Sequence, residues 1–187
     1  MLALTLMPVT CLAASQPVPV APGATAADAR PAPPAGVAQD AAATLHALFD
    51  SAWEAELALD PDRATDLGDA RYNGLWTSMS TDAIERRHRH DEATLAQLRR
   101  IPRAALAAPD QLNYDLFERE YLQRLATWPF KPWLYAIDHQ GGIQTLHETA
   151  EQLPFNTLRD YEDWLARLTA LGLYVDQNIR LLEIAAK

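Results

Sequence analysis

The stretch Thr157–Lys187, TLRDYEDWLARLTALGLYVDQNIRLLEIAAK, decides the fold. Thr157 followed three residues later by Asp160 has the form of a capping box, with Asp in place of the usual Glu. Tyr161, Trp164, Leu168, Leu171, Val175, Ile179 and Leu182 then recur by threes and fours. That is the period of an amphipathic helix, and a stripe of this length suits an antiparallel helical hairpin or bundle. No Gly or Pro stop closes the pattern near Lys187, so the stretch reads as the N-terminal part of a longer helical protein, with an apolar stripe left uncovered.

Working back from this helix, the same signals recur. Pro109-Asp110 opens a helix to about Ala126, with Tyr114, Phe117, Tyr121, Leu125 and Trp128 on one face. An aromatic stripe at helical spacing is expected to be core. Pro129 and Pro132 end it. Ser80 caps a helix running to about Arg100, whose stripe is Ile84, His88, Asp91, Leu95 and Leu98. His88 and Asp91 are three apart and can touch, so a carboxylate-oriented histidine is conceivable. The flanking Arg86, Arg87, Arg89 and His90 favour a solvated segment that projects past the core. Ala70 to Met79 reads as a loop with an Asn73-Gly74 turn. Asp60-Pro61 has the N-cap and first-position signature of a short helix ending near Gly68. Asp40 caps a helix over 41–59 that buries Leu45, Leu48, Phe49 and Ala52, with His46, Asp50 and Glu54 opposite. The chain is therefore expected to be all-α, an antiparallel helical bundle or array over residues 40–187.

The first forty residues differ in kind. Met1 to Leu12 is apolar and followed by Ala13, Ala14 and Ser15, as in a secretory signal spanning 1–15, although no Lys or Arg precedes it. It is too short to span a bilayer, and no transmembrane segment is expected after its removal. Residues 16–39 are rich in Pro and Ala, a composition that cannot bury enough surface to offset its ordering entropy, and form an expected disordered linker. The chain is thus expected to be exported, periplasmic or secreted. Cys11 offers lipid anchoring as a second route, but Pro8-Val9-Thr10 matches a lipoprotein box poorly. Cys11 is the single cysteine, so disulfides, Cys-ligated zinc and thiol nucleophiles are excluded after processing. The formal charge of −9 argues against nucleic acid and against an anionic membrane as partners.

The sequence carries few motifs with a definite chemistry. The histidines are His46, His88, His90, His139 and His147, and no two share the i, i+4 spacing of a helical metal pair. His147-Glu148-Thr149-Ala150-Glu151 begins like H-E-x-x-H but has Glu where the second imidazole must stand, so it reads as a helix segment. Nucleophile elbow, P-loop and dinucleotide fingerprints are absent from the sequence. Gly141-Gly142, after Asp138-His139-Gln140, either lets backbone approach a ligand or forms a turn, the commoner role.

Several motifs taken together are more specific than any one of them. Asp60-Pro61-Asp62-Arg63-Ala64-Thr65-Asp66-Leu67-Gly68-Asp69-Ala70-Arg71-Tyr72 resembles the opening of a large bacterial family, domain of unknown function 885. The resemblance continues through Leu112-Asn113-Tyr114-Asp115-Leu116, Asp138-His139-Gln140-Gly141-Gly142, Leu153-Pro154-Phe155-Asn156-Thr157, Asp160-Tyr161 and Trp164-Leu165-Ala166-Arg167-Leu168, over roughly Ala41 to Lys187. It implies a mostly helical, exported protein about three times as long. The later half of such proteins carries an H-E-x-x-P-G-H-H-type motif like a zinc metallopeptidase centre. No position of this sequence matches that motif, so no catalytic or metal-binding residue carries over.

Two functional expectations follow. The first is the N-terminal helical region of a zinc-dependent peptidase-like hydrolase, inactive by itself. It would form part of a substrate cleft for a peptide, with the C-terminal half of the same protein as partner and source of the zinc. Asp138, His139, Gln140, Gly141 and Gly142 are the candidate substrate-binding residues. The second is a non-catalytic helical interaction module that binds through surfaces bearing Trp53, Trp76, Trp128, Trp133 and Trp164.

Overall fold

The computed structural model describes residues 35–187 except 136 and 138–140. The segments read as leader and linker therefore lie outside the described residues up to residue 34, Cys11 among them. Six α-helices follow in order: α1 Ala35–Leu59, α2 Pro61–Asp66, α3 Thr81–Leu98, α4 Ala108–Thr127, α5 Leu146–Gln152 and α6 Leu158–Ala185. Single 3-10 turns join several of them, and no strand occurs among the described residues, so the fold is all-α.

The expected start signals operate. The Asp60 carboxylate accepts the Arg63 N–H at 3.2 Å, and the Ser80 hydroxyl accepts that of Ala83 at 3.2 Å. Thr157 and Asp160 form a full capping box. Gly68 ends α2 at φ 83°, where a side chain would be strained. α1 is the exception, because it begins at Ala35, ahead of the expected cap at Asp40. The residues before Asp40 are mainly good helix formers, and Pro33-Pro34 bounds them in the sequence.

α1, α3 and α4 form an up-down-up bundle. His88 meets Trp128, Asp91 lies near Arg124 and Arg99 pairs with Glu118, so α3 and α4 run antiparallel. His46 pairs with Asp110, Phe49 with Phe117 and Glu56 with Arg124, so α1 runs parallel to α4. Their shared core is Ala41, Leu45, Leu48, Leu95, Leu98, Ile101, Ala105, Leu106, Tyr114 and Tyr121. Leu45 and Leu98 are fully buried. Each contributes about 1.5–3 kcal/mol relative to exposure. Of the expected aromatic stripe, Tyr114 and Tyr121 enter this core and Phe117 and Leu125 pack against it, with Phe117 tilted against both Phe49 and Tyr121 at 4.7 Å, while Trp128 lies outside it.

α6 packs differently. It meets α2 and the 70–79 loop where Arg167 donates to Thr65, the Trp76 indole donates to the Arg167 carbonyl and the Met79 N–H donates to Gln177; its buried residues are Asp163, Arg167, Asn178 and Leu181. The loop follows the expected turn, with the Leu75 N–H donating to the Tyr72 carbonyl at 2.9 Å. Gly74 suits the close approach there, since a Cβ would meet Asp163 Oδ1 at a tight 3.3 Å. The apolar stripe expected to face other helices stays largely open. Tyr161, Leu168, Ile179 and Leu182 are all exposed, as are Leu158 and Leu165. At about 100° per residue this stripe lies more than a third of a turn from the buried polar face.

Candidate functional site

Three arrangements of side chains carry chemical potential. The first is the seam between α1 and α4. Two parallel helices tied at His46–Asp110, Phe49–Phe117 and Glu56–Arg124 leave an open groove of about 610 Å³ between them. Its floor is Phe49, Ala52, Phe117 and Tyr121; Trp53 and Leu116 stand on its lips, and Asp50, Glu56 and Glu120 are its carboxylates. Such a surface suits an apolar ligand with positive charge.

The second is a polar layer that borders this groove. Arg124 on α4 donates to Glu56 at 2.8 Å and to Glu120 at 2.9 Å, and stands 3.8 Å from Asp91. Burial alone would lower the Arg124 guanidinium, but the bonds to Glu120 and Glu56 outweigh that and raise it. Burial pushes the Asp91 carboxyl up, against the pull of Arg124. His88 stacks flat on Trp128, rings 3.8 Å apart at 7°, with Glu92 3.6 Å from its Nε2. The solvated reading of this segment is therefore corrected: Ile84 is buried, and the His88 and Asp91 side chains are only 20% and 18% exposed. α3 does not project past the core, because Arg124 of α4 and Trp128 just after it supply a cation and a flat ring that make these polar positions tolerable. His88 and Asp91 each find another partner, so the structure does not form a carboxylate-oriented histidine from them.

The third is a buried arginine. Arg167 is fully buried and donates from Nη2 to the Thr65 hydroxyl at 2.6 Å. Its guanidinium lies 4.7 Å from the Trp76 ring, and its carbonyl accepts the Trp76 indole N–H at 2.8 Å. Asp62 Oδ1 is 3.6 Å away. Nε and Nη1 of Arg167, and Oδ1 of Asp62, are buried without hydrogen-bond partners. Burial lowers the Arg167 guanidinium and raises the Asp62 carboxyl; each is only partly compensated by the other. The cluster joins two motifs that lie far apart in sequence, Asp60–Tyr72 and Trp164–Leu168. Sequence reasoning missed it, although Asp163, Arg167, Tyr174 and Asn178 recur at helical spacing and gave the signal.

Of the expected substrate-binding residues, Asp138, His139 and Gln140 lie outside the described residues. Gly142 adopts φ 132°, a conformation that favours glycine. Its carbonyl accepts the Thr145 N–H at 3.1 Å and the Thr145 hydroxyl at 3.0 Å, while the Gly141 carbonyl accepts the Gln144 amide at 2.9 Å. The pair thus forms a turn that leads into α5. α5 carries His147, Glu148 and Glu151, with these three side chains exposed. Among the described residues no three His, Cys, Asp or Glu side chains converge closely enough to hold a metal ion. The described residues alone do not fit a zinc centre. No helix among the described residues is long and apolar enough to cross a membrane.

No curated protein matches this chain, and no solved structure does. The family described as "Bacterial protein of unknown function (DUF885)" matches residues 61–187. The match starts at α2, later than the resemblance at Ala41 suggested, and it includes both halves of the Arg167 cluster. Since it covers more than half of the sequence, the chain belongs to the DUF885 family of bacterial proteins of unknown function.

Proposed function

We propose that this chain is the N-terminal helical region of an exported, zinc-dependent peptidase-like hydrolase. In this reading it forms part of a substrate cleft, and a later region of the same protein supplies the metal. The observation that carries the reading is the apolar stripe of α6. Tyr161, Leu165, Leu168, Ile179 and Leu182 remain exposed on a helix already fixed by its polar face. A contiguous apolar surface of this kind marks a surface made to be covered. Membership of the family supports a large helical protein as the cover, and the resemblance to its motifs supports a peptidase-like centre. The segment Asp138–Gly142 is the proposed substrate-facing part, and Met1–Ser15 the proposed export signal.

The test is expression of the full gene, followed by metal analysis and a peptidase assay with and without chelator. Roughly stoichiometric zinc and chelator-sensitive cleavage are expected. A full-length protein that binds no metal and cleaves nothing would contradict the reading. A non-catalytic interaction module is the second reading, favoured by the α1/α4 groove with Trp53 45% exposed at its lip.

A further inference from the structure

The α1/α4 groove has properties that the family match does not explain, since α1 lies ahead of the matched residues. Its walls are two parallel helices, and Phe49, Phe117 and Tyr121 give it a continuous aromatic floor. Trp53 and Leu116 are 45% and 55% exposed on opposite lips. The rim is acidic. Asp50 makes no ion pair among the described residues, and Arg124, which reaches the rim, is already divided among Glu56, Glu120 and Asp91.

We propose that this groove docks an amphipathic helix of a partner protein, with bulky apolar residues at i, i+3 or i+4 and i+7, flanked by Lys or Arg. Three facts fix the occupant's chemistry. A slot between two parallel helices accepts a further helix by ridges-into-grooves packing, which would complete a four-helix arrangement. The exposed Trp and Leu at the lips are the residue types that anchor such a helix in a groove. The carboxylate rim, on a chain of formal charge −9, selects a cationic partner and repels an acidic one.

The test uses the full chain and a synthetic helix-forming peptide of about 18 residues, Leu on one face and Lys beside it, long enough to form a helix once bound. A control peptide carries Glu in place of every Lys. Binding is read by peptide anisotropy and by Trp emission. The basic peptide is expected to bind with Kd on the order of 10 µM, at least 10-fold tighter than the acidic one, and more weakly as salt rises. Leu116→Glu and Trp53→Ala are expected to weaken it at least 10-fold without lowering the melting temperature, because both side chains are exposed. Leu168→Glu, on the α6 stripe, is expected to leave it unchanged. Equal affinity for both peptides overturns the proposal, as does wild-type binding by Leu116→Glu or loss of binding in Leu168→Glu. A bound peptide without helical circular dichroism also overturns it. So does a chain that fails to bind peptide but self-associates through Leu116.

Discussion

The bundle of α1, α3 and α4 and the docked helix α6 use similar residues in opposite ways. In the bundle, Leu45, Leu48, Leu95 and Leu98 are buried, and charged groups such as Asp50 and Glu54 face water. On α6 the buried positions are Asp163, Arg167 and Asn178 with Leu181, while most of the large apolar residues face out. Burial of aliphatic surface is favourable without regard to direction, whereas a buried guanidinium is tolerated only with well-placed partners. The bundle is therefore held by its own core. α6 is positioned by a specific lock, and its apolar face remains available to something else.

Five substitutions at four positions break or sharpen this contrast. Leu98→Ala has the largest effect, about 4 kcal/mol of global stability by urea unfolding, because a fully buried leucine leaves a cavity between α1, α3 and α4. Arg167→Ala follows at about 3 kcal/mol, because it leaves Thr65 and Asp62 without their buried partner. Arg167→Met is the sharper variant. It restores most of the volume but, like Ala, leaves Thr65 and Asp62 without their buried partner, so its cost is expected to stay at about 2–3 kcal/mol. If Met costs less than about 1 kcal/mol, volume and not the polar contacts holds α6, and the lock has been misjudged.

Asp91→Asn is expected to gain a few tenths to about 1 kcal/mol at pH 7, discounted for partial solvent access. The folded carboxyl titrates above its ordinary 3.8, so the folded state binds the proton more tightly than the unfolded chain does. Stability of the parent chain therefore falls as pH rises from 3.8 through the folded value. The advantage of Asn is complete above that window and disappears at pH 3. A gain that persists at pH 3 would point to packing instead of charge. Leu165→Lys, on the open stripe, has the smallest effect, within about 0.5 kcal/mol by the same unfolding assay. A loss above about 2 kcal/mol would mean that this surface is already covered.

The sequence was a good guide wherever local chemistry sets the outcome. Asp60-Pro61, Ser80 and Thr157 with Asp160 begin helices as expected, and the leucines of α1 and α3 take the core. It was a poor guide to which face of α6 is covered. Periodicity shows which residues share a face, but only tertiary packing shows what meets it. The polar stripe Asp163, Arg167, Tyr174 and Asn178 was equally periodic and was outweighed by the apolar one. His88 and Asp91 were misplaced for a related reason: a polar residue in an apolar stripe can be solvated or can find a partner, and Trp128 and Arg124 lie some 35 residues away in sequence. For the candidate site, the lips and rim of the α1/α4 groove come from separate helices, so no local motif announces it. The turn at Gly141-Gly142 was legible because φ at Gly142 favours glycine.

The central claim is that α6 is held by the Arg167 lock and not by a shared apolar core. Native-state hydrogen exchange on the full chain tests it most directly. Amides of Leu95, Leu98 and Tyr121 should exchange only by global unfolding. Those of α6 should open by a smaller event, at least about 2 kcal/mol lower in free energy. Equal protection of α6 and α3 would show one continuous cooperative core and contradict the account.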